Sequence, residues 1–338
     1  MCKFLYHNSF FLVYRPFSSL LQPREDVIMK NQTMPTEFIL LGFHNIQGLR
    51  FLLSWVISII YIFTILGNML IIFLSFVEPH LQTPMYFFLG NLSLLDVFCY
   101  TTSIAPKMLK TLLVVQEEVS FSACLLQFYI FGSLAVAECF LLAAMSYDRY
   151  LAIYKPLHYA STMSFQLCFQ LAAGSWVIGF LSLVVTMPMV SRLPFCASKE
   201  IDHFFCDLTP IIKLSCGDTY MVRIPAFIIA SLVSFSPFLL TLLSYYKIIS
   251  TILKIPFSTG KQKAFSTCSS HLIVVSVFYG MLIVVYAAPV ANQWPNLNKV
   301  FSMLYTVVTP LINPIVYCLR NTEVKETLRK LFRTIVII

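Results

Sequence analysis

Residues 52–76 read LLSWVISIIYIFTILGNMLIIFLSF, 25 residues without a single charge. A helix rises about 1.5 Å per residue, so a run of this length crosses the roughly 30 Å hydrocarbon core of a bilayer. The pattern recurs along the chain. Leu167–Val190, Ile224–Tyr246, Leu272–Val290 and Phe301–Leu319 are also uncharged, while Met85–Ile104 holds one acid, Asp96, and Leu125–Tyr147 holds one, Glu138. Composition agrees: 58% of the 338 residues are hydrophobic and 11% charged, against about 25% charged in a soluble domain. The expected fold is therefore an all-α membrane protein, a seven-transmembrane helix bundle over residues 52–319. A segment 1–51 precedes it and a tail 320–338 follows. An odd number of spans puts the two termini on opposite sides.

Charge near the spans orients the bundle. The Lys247–Lys263 loop is purely basic, whereas Ser191–Arg223 mixes Arg192, Lys199, Lys213 and Arg223 with four acids. The basic loop is placed in the cytosol and the N-terminal segment outside. Asn31-Gln32-Thr33, an N-glycosylation acceptor ahead of the first span, agrees with that side. The similar triplet at Asn91 lies inside a span and is discounted. Residues 1–28 lack a small-residue cleavage site, and Met29 is a natural start, so they read as an upstream extension. Nothing in the charge pattern points to nucleic acid.

Cys99, Cys139 and Cys168 fall in or beside apolar runs and suit packing. Cys196, Cys206 and Cys216 are spaced by ten within the long loop, and Cys124 precedes the third span on the same side. Four cysteines facing an oxidising compartment suggest two disulfides, with three pairings open. Zinc fits poorly, because no close Cys-x-x-Cys pair accompanies them and His203 is the only nearby histidine.

Within the spans, Asn68, Asp96, Glu138 and Asn313 are polar at membrane depth. An acid at a helix centre costs roughly 2.5–3.5 kcal/mol on insertion scales, so such groups face the bundle interior. They form either a structural cluster or an ion- or proton-sensitive hinge, with sodium at Asp96 and Glu138 the candidate ion. Pro310 and Pro314 bracket Asn313, and each removes a backbone donor. After the last span, Val324, Leu328, Leu331 and Phe332 share one helical face, with Lys325, Arg329, Lys330 and Arg333 off it. This predicts a short amphipathic C-terminal helix on the inner membrane surface. Metalloprotease, hydrolase and phosphate-loop motifs are all lacking. Only one aspartate lies within a span, the last span holds no lysine, and no internal repeat is visible. The chain reads as no enzyme, without a cofactor.

One stretch remains, MSYDRYLAIYKPLHY at residues 145–159. Asp148 and Arg149 close the third apolar run, where a charge needs a partner, a task, or an anchoring place at the interface. With this stretch, the motifs PMYFFLGNLSLLD (84–96), SYYKII (244–249), KAFSTCSSHL (263–272), FYG (278–280) and PLINPIVYCLRN (310–321) occur in order. Together with Gly67-Asn68 and the three-cysteine loop, they resemble the olfactory receptors, rhodopsin-like G-protein-coupled receptors. The match covers about Met29 to Arg333, and Tyr147 with the PLHY ending is similar to the tetrapod-type class. Ser146 and Tyr154 depart from the family's usual Ala and Cys.

The resemblance implies a receptor in the plasma membrane, in the cilia of olfactory neurons. Its partners would be a small volatile odorant, the olfactory stimulatory G protein and membrane lipid, with cyclic AMP as output. It implies Cys124–Cys206 and Cys196–Cys216 disulfides. It implies a switch of Asp148, Arg149, Tyr150, Tyr245, Asn313, Pro314 and Tyr317, in which Arg149 leaves Asp148 for Tyr245 and Tyr317. The pocket is expected between spans three, five, six and seven. Gly132, Ala135, Val136, Ile229, Val233, Tyr279, Leu282, Ile283, Tyr286 and Thr306 would line it. No Lys or Arg lies in those span segments, which argues against a carboxylate odorant.

Overall fold

The computed structural model describes residues 36–43, 47–99, 104–114, 117–195, 199–254, 259–287, 295–320, 324–327, 329 and 333. In chain order these form β1 (Glu37–Leu40), α1 (Arg50–Val77), α2 (Pro84–Phe98), α3 (Ala105–Leu113), β2 (Glu117–Ser120), α4 (Phe121–Tyr154) and α5 (Pro156–Thr162). There follow α6 (Phe165–Ser182), α7 (Thr186–Ser191), β3 (Glu200–Ile201), α8 (Leu208–Leu214), α9 (Tyr220–Lys254), α10 (Thr259–Leu282) and α11 (Pro295–Arg320). Among the described residues six stretches are long and apolar enough to cross a membrane: α1, α4, Phe165–Ser191, α9, Cys268–Tyr286 and Leu297–Tyr317. The shorter apolar α2 supplies the seventh.

The helices depart from the apolar runs in instructive ways. α4 has 34 residues, about 51 Å, and so overshoots a hydrocarbon core of roughly 30 Å. Its start is fixed by Ser120, whose hydroxyl accepts the Ala123 N–H at 3.3 Å, and Ser164 starts α6 in the same way through Leu167. In the second run regular α-helix reaches Phe98, and the described residues Cys99 and Ile104 are π-helical. α2 ends at Phe98 and α3 opens at Ala105 with Pro106 in its first turn, where a missing donor is harmless. The tail is described in part: Val324 is buried in the core while Lys325, Arg329 and Arg333 are exposed, in keeping with the expected faces. Leu328, Lys330, Leu331 and Phe332 lie outside the described residues.

α4 sits at the centre. Its apolar stretch is 67% buried, against 22% for α1 and 17% for α9. The outward faces are greasy, with Phe51, Trp55 and Phe63 all more than half exposed, as lipid contact requires. Hydrogen bonds tie the layers together. The Trp176 indole of α6 donates to the Asn91 carbonyl of α2 at 3.3 Å, and Tyr129 of α4 donates to the Phe180 backbone carbonyl of α6 at 3.0 Å. Asn91 is thus occupied in packing.

α11 is held from two sides. Pro314 has no N–H to give the Pro310 carbonyl one turn earlier. Asn68 of α1 supplies that donor instead, at 3.1 Å, while also donating to Thr64 O at 3.0 Å. Gly67 makes the approach feasible, because a β-carbon there would lie 2.8 Å from Pro314 Cβ. On the other side Asn313 donates to Asp96 Oδ2 at 2.8 Å. All three side chains are buried.

Asn68→Ala would strand the Pro310 carbonyl, at a cost of about 1–3 kcal/mol for a buried group left unpaired. The detergent-solubilised protein should then melt several degrees lower. An unchanged Tm would show that another donor reaches Pro310.

Candidate ligand-binding site

A cavity of about 420 Å³ opens between α4, α9, the end of α10 and the loop carrying α8. Seven expected positions line it: Gly132, Ala135 and Val136 from α4, Ile229 and Val233 from α9, and Leu282 and Tyr286 after the α10 core. Phe128, Phe131 and Leu183 add apolar wall; Ser182, Thr186 and Ser234 add hydroxyls. Three expected residues stand elsewhere. Tyr279 is buried against Phe238, with ring centroids 4.7 Å apart. Thr306 turns its hydroxyl back to the Ser302 carbonyl at 2.9 Å. Ile283 is 53% exposed on the outer face. Ile283 opens the π-helical turn Ile283–Ala287, whose Tyr286 does reach the cavity.

The roof is built at the same end. β1 lies between β2, antiparallel, and β3, parallel, a small sheet with no signal in the apolar pattern. Gly42 follows it at φ 53°, where a β-carbon would lie 2.7 Å from Thr111 Cβ. Cys124 at the start of α4 is bonded to Cys206, S–S 2.07 Å. One turn on, the Gln127 side-chain carbonyl accepts the Cys206 N–H at 3.0 Å and Lys107 Nζ at 3.3 Å. Cys216 is also disulfide-bonded; Cys196, its expected partner, lies outside the described residues. The Phe195–Ser215 bridge holds this part of the loop closed. Lys299, buried at the start of α11, donates to the Gly42 carbonyl at 3.1 Å and pairs with Asp202.

Charge in the cavity overturns one expectation. Asp207, Lys213 and Arg223 all line it, so its wall does hold cations. They come from the loop and the first turn of α9, outside the span segments considered in the sequence. Burial pushes the Asp207 carboxyl up to about 6, opposed by hydrogen bonds from Leu208 N–H and the Tyr286 hydroxyl. Burial lowers the Lys213 ammonium, Asp202 counters this, and the Arg223 charge adds to the lowering. His203, packed between Phe204 and Phe205, is held down to about 3 by burial and by Lys299.

Deeper in the bundle, Asp96, Glu138, Asn68 and Asn313 are all buried. Asn68 Oδ1, Glu138 Oε1 and Asn313 Oδ1 are acceptors without a hydrogen-bond donor among the described residues. At the far end of α4, Arg149 Nε is 3.9 Å from Asp148 Oδ2, longer than a charge-assisted hydrogen bond of about 2.8 Å. The tighter partner of Asp148 is Tyr159, whose hydroxyl donates to Oδ1 at 2.7 Å. Asp148 and Arg149 Nη2 are buried. Tyr150 stacks on Tyr154 at 5.1 Å. Tyr245 meets His271 Nδ1 at 2.6 Å, and Tyr317 is buried nearby in the core with its hydroxyl lacking a partner among the described residues. Sequence reasoning did not single out Tyr159 or His271, although both lie inside motifs quoted for the resemblance. Asn31 lies outside the described residues. Among the described residues no three His, Cys, Asp or Glu side chains cluster as metal ligands do.

Comparison with known proteins places the chain among sensory receptors. A family model described as olfactory receptor matches residues 57–334. The chain is 46% identical over 303 residues to human Olfactory receptor 6B1, covering 90% of this chain and 96% of that protein. It is 49% identical over 300 residues to human Olfactory receptor 6F1, covering 89% and 97%. It is 47% identical over 304 residues to human Olfactory receptor 10A7, covering 90% and 96%.

Because the Cys124–Cys206 bond ties the roof to the central helix, Cys206→Ser should lower surface display in transfected cells well below that of Cys168→Ser. Cys168 is a free, buried thiol. Equal display of the two variants would contradict the structural role of the bond, and so would a Cys124–Cys216 peptide as the main species in non-reducing mapping.

Proposed function

Since the chain belongs to the olfactory receptor family, a family of membrane-embedded signalling receptors and not of enzymes, we propose that the cavity between α4, α9 and α10 takes a small volatile odorant. Occupancy then activates the olfactory stimulatory G protein at the opposite face and raises cyclic AMP. The observation that carries this reading is the mostly apolar cavity lined by seven of the expected positions, of the size and character of small-molecule sites. The receptor is a multi-pass plasma-membrane protein. In the proposed orientation residues 1–51 are extracellular with a glycan on Asn31, and residues 52–319 form the bundle. The tail 320–338 and the basic Lys247–Lys263 loop face the cytosol, and the receptor sits in the cilia of olfactory neurons. The disulfide-bonded roof on the other side agrees with an oxidising exterior.

The proposed switch is a change of partners at the cytosolic end of α4. In the resting arrangement Asp148 holds Arg149 electrostatically and Tyr159 by hydrogen bond. Tyr245 is occupied by His271. Arg carries a fixed charge and five donors, so moving it from Asp148 to Tyr245 and Tyr317 is a discrete step between two packings. Asn313 and Pro314 lie in the α11 segment whose ladder is already interrupted. A ligand drives such a step only by the difference in its affinity for the two states.

Asp96 and Glu138 form the proposed relay between the two ends. A sodium ion fits the residues present in one respect: the acceptors of Asn68, Glu138 and Asn313 that lack a donor among the described residues call for a cation or a proton. A sodium ion would add positive charge among them, and Asp96 and Glu138 would be the residues to hold it.

Arg149→Ala should reach the surface at normal density and lose odorant-driven cyclic AMP; full signalling at equal density would remove Arg149 from the switch. Asp96→Asn and Glu138→Gln should each change basal cyclic AMP or its sensitivity to sodium or pH. If neither variant changes any of these, the pair is purely structural.

A further inference from the structure

A hydroxyl inside a membrane-spanning helix has an acceptor within reach in its own backbone, the carbonyl three or four residues back. This chain uses that solution repeatedly. Thr64 donates to Ile60 O at 2.8 Å, Ser175 to Leu171 O at 2.8 Å and Ser182 to Gly179 O at 2.7 Å. Thr186 departs from it. This residue is the most deeply buried Ser or Thr of the cavity wall, at 3% exposure. Its hydroxyl has no hydrogen-bond partner among the described residues. The cause is local. α6 ends at Ser182 and α7 opens at Thr186, so the interruption at residues 183–185 separates Thr186 from the Ser182 carbonyl one turn back. The interrupted stretch is seated against α4, where Gly132 makes room for it: a β-carbon there would lie 3.0 Å from Leu183 Cδ2. The charged groups of the wall have partners of their own. Asp207 accepts the Leu208 N–H and the Tyr286 hydroxyl. Asp202 acts on Lys213, and Lys213 and Arg223 each have further interactions.

We infer that Thr186 is a specificity-determining residue of this cavity, its hydroxyl donating to the carbonyl oxygen of a neutral ligand, an aldehyde or a ketone. The inference rests on the reading of this cavity as the odorant site and deepens it by naming the ligand's polar group and the side chain that meets it. Buried hydroxyls are hydrogen-bonded as a rule, and the cavity is the space from which a partner can reach Thr186. What the hydroxyl lacks is an acceptor for its proton. A carbonyl oxygen is an acceptor only, whereas an alcohol brings a proton of its own that needs another acceptor in a mostly apolar wall. The hydrocarbon part of the ligand then lies against Phe128, Leu183 and Val233. A site that holds a hydrogen-bonding group in this way rejects the analogue that lacks the matching atom.

The test uses the full-length receptor in cells with a cyclic AMP reporter, at matched surface density measured by staining. The probes are straight-chain aldehydes from hexanal to decanal, the methyl ketones and primary alcohols of the same lengths, and the terminal alkenes in which a methylene group replaces the aldehyde oxygen. On the native chain the carbonyl compounds should be the most potent, with the alkenes weaker by about tenfold or more, or inactive. Thr186→Val keeps the shape of the side chain and removes the hydroxyl. It should raise the half-maximal concentration of the carbonyl compounds about tenfold or more, without a matching loss for the alkenes. Thr186→Ser should retain the carbonyl response. If Thr186→Val fails to reach the surface, Thr186→Ala takes its place, and the potency order on the native chain tests the inference independently. Alkenes as potent as the aldehydes, alcohols as the best agonists, or a carbonyl response that survives Thr186→Val unchanged would each overturn the inference while leaving the receptor reading intact. Silence toward every class overturns the odorant-site reading and the inference with it.

Discussion

The hydrocarbon core offers no water to a backbone N–H or C=O, so every such group within it must find a partner in the protein. This constraint shapes the chain at each level. It makes the spans helical, and it makes each interior proline a problem that a neighbour has to solve. At Pro314 the solution is Asn68, which reaches across from α1 to the carbonyl left without its donor. Gly67 provides the clearance, and Asn313 anchors the same segment to Asp96. The proline-carrying part of α11 is therefore held by a few specific polar contacts, and such contacts can be exchanged.

The two ends of the bundle follow from different physics. On the side of β1, water is available and the chain uses it for a sheet, a disulfide, and the Lys299 contact to Gly42 and Asp202. Together these fix the loop over the cavity. The roof brings polar and charged groups to the mouth of a mostly apolar slot. At the opposite end, Asp148 and Arg149 are buried more deeply than an interface anchor would be. Tyr159 completes the environment of the acid.

Much of the fold was legible because uncharged runs of membrane length leave few alternatives. The Leu52–Phe76 run became α1 with little change. Boundaries were less legible, because helices continue into the headgroup region where polar residues are tolerated, as α4 does at both ends. The change from α to π geometry at Cys99 was hidden in a continuous apolar run. The sheet around β1 was hidden as well, since strands of four residues or fewer leave no periodic signal. In the cavity, positions on regular helix such as Gly132 and Val233 could be counted from motifs. Ile283 does not line the cavity, although Tyr286 of the same π turn does. Asp207 and Lys213 were missed because they reach the cavity only through the fold of the loop, which the spacing of its cysteines does not determine; Arg223 was missed because it lies in the first turn of α9, just ahead of the uncharged run.

The central claim is that this cavity is the place where a ligand acts on the receptor. Its most direct test is the cyclic AMP dose–response of Ala135→Trp, at matched surface density, to whichever volatile activates the native chain most strongly. Ala135 lines the cavity from the central helix, so the indole would fill space that the ligand needs. The account predicts that the response is lost or shifted by at least about tenfold. A dose–response curve superimposable on that of the native chain would contradict it.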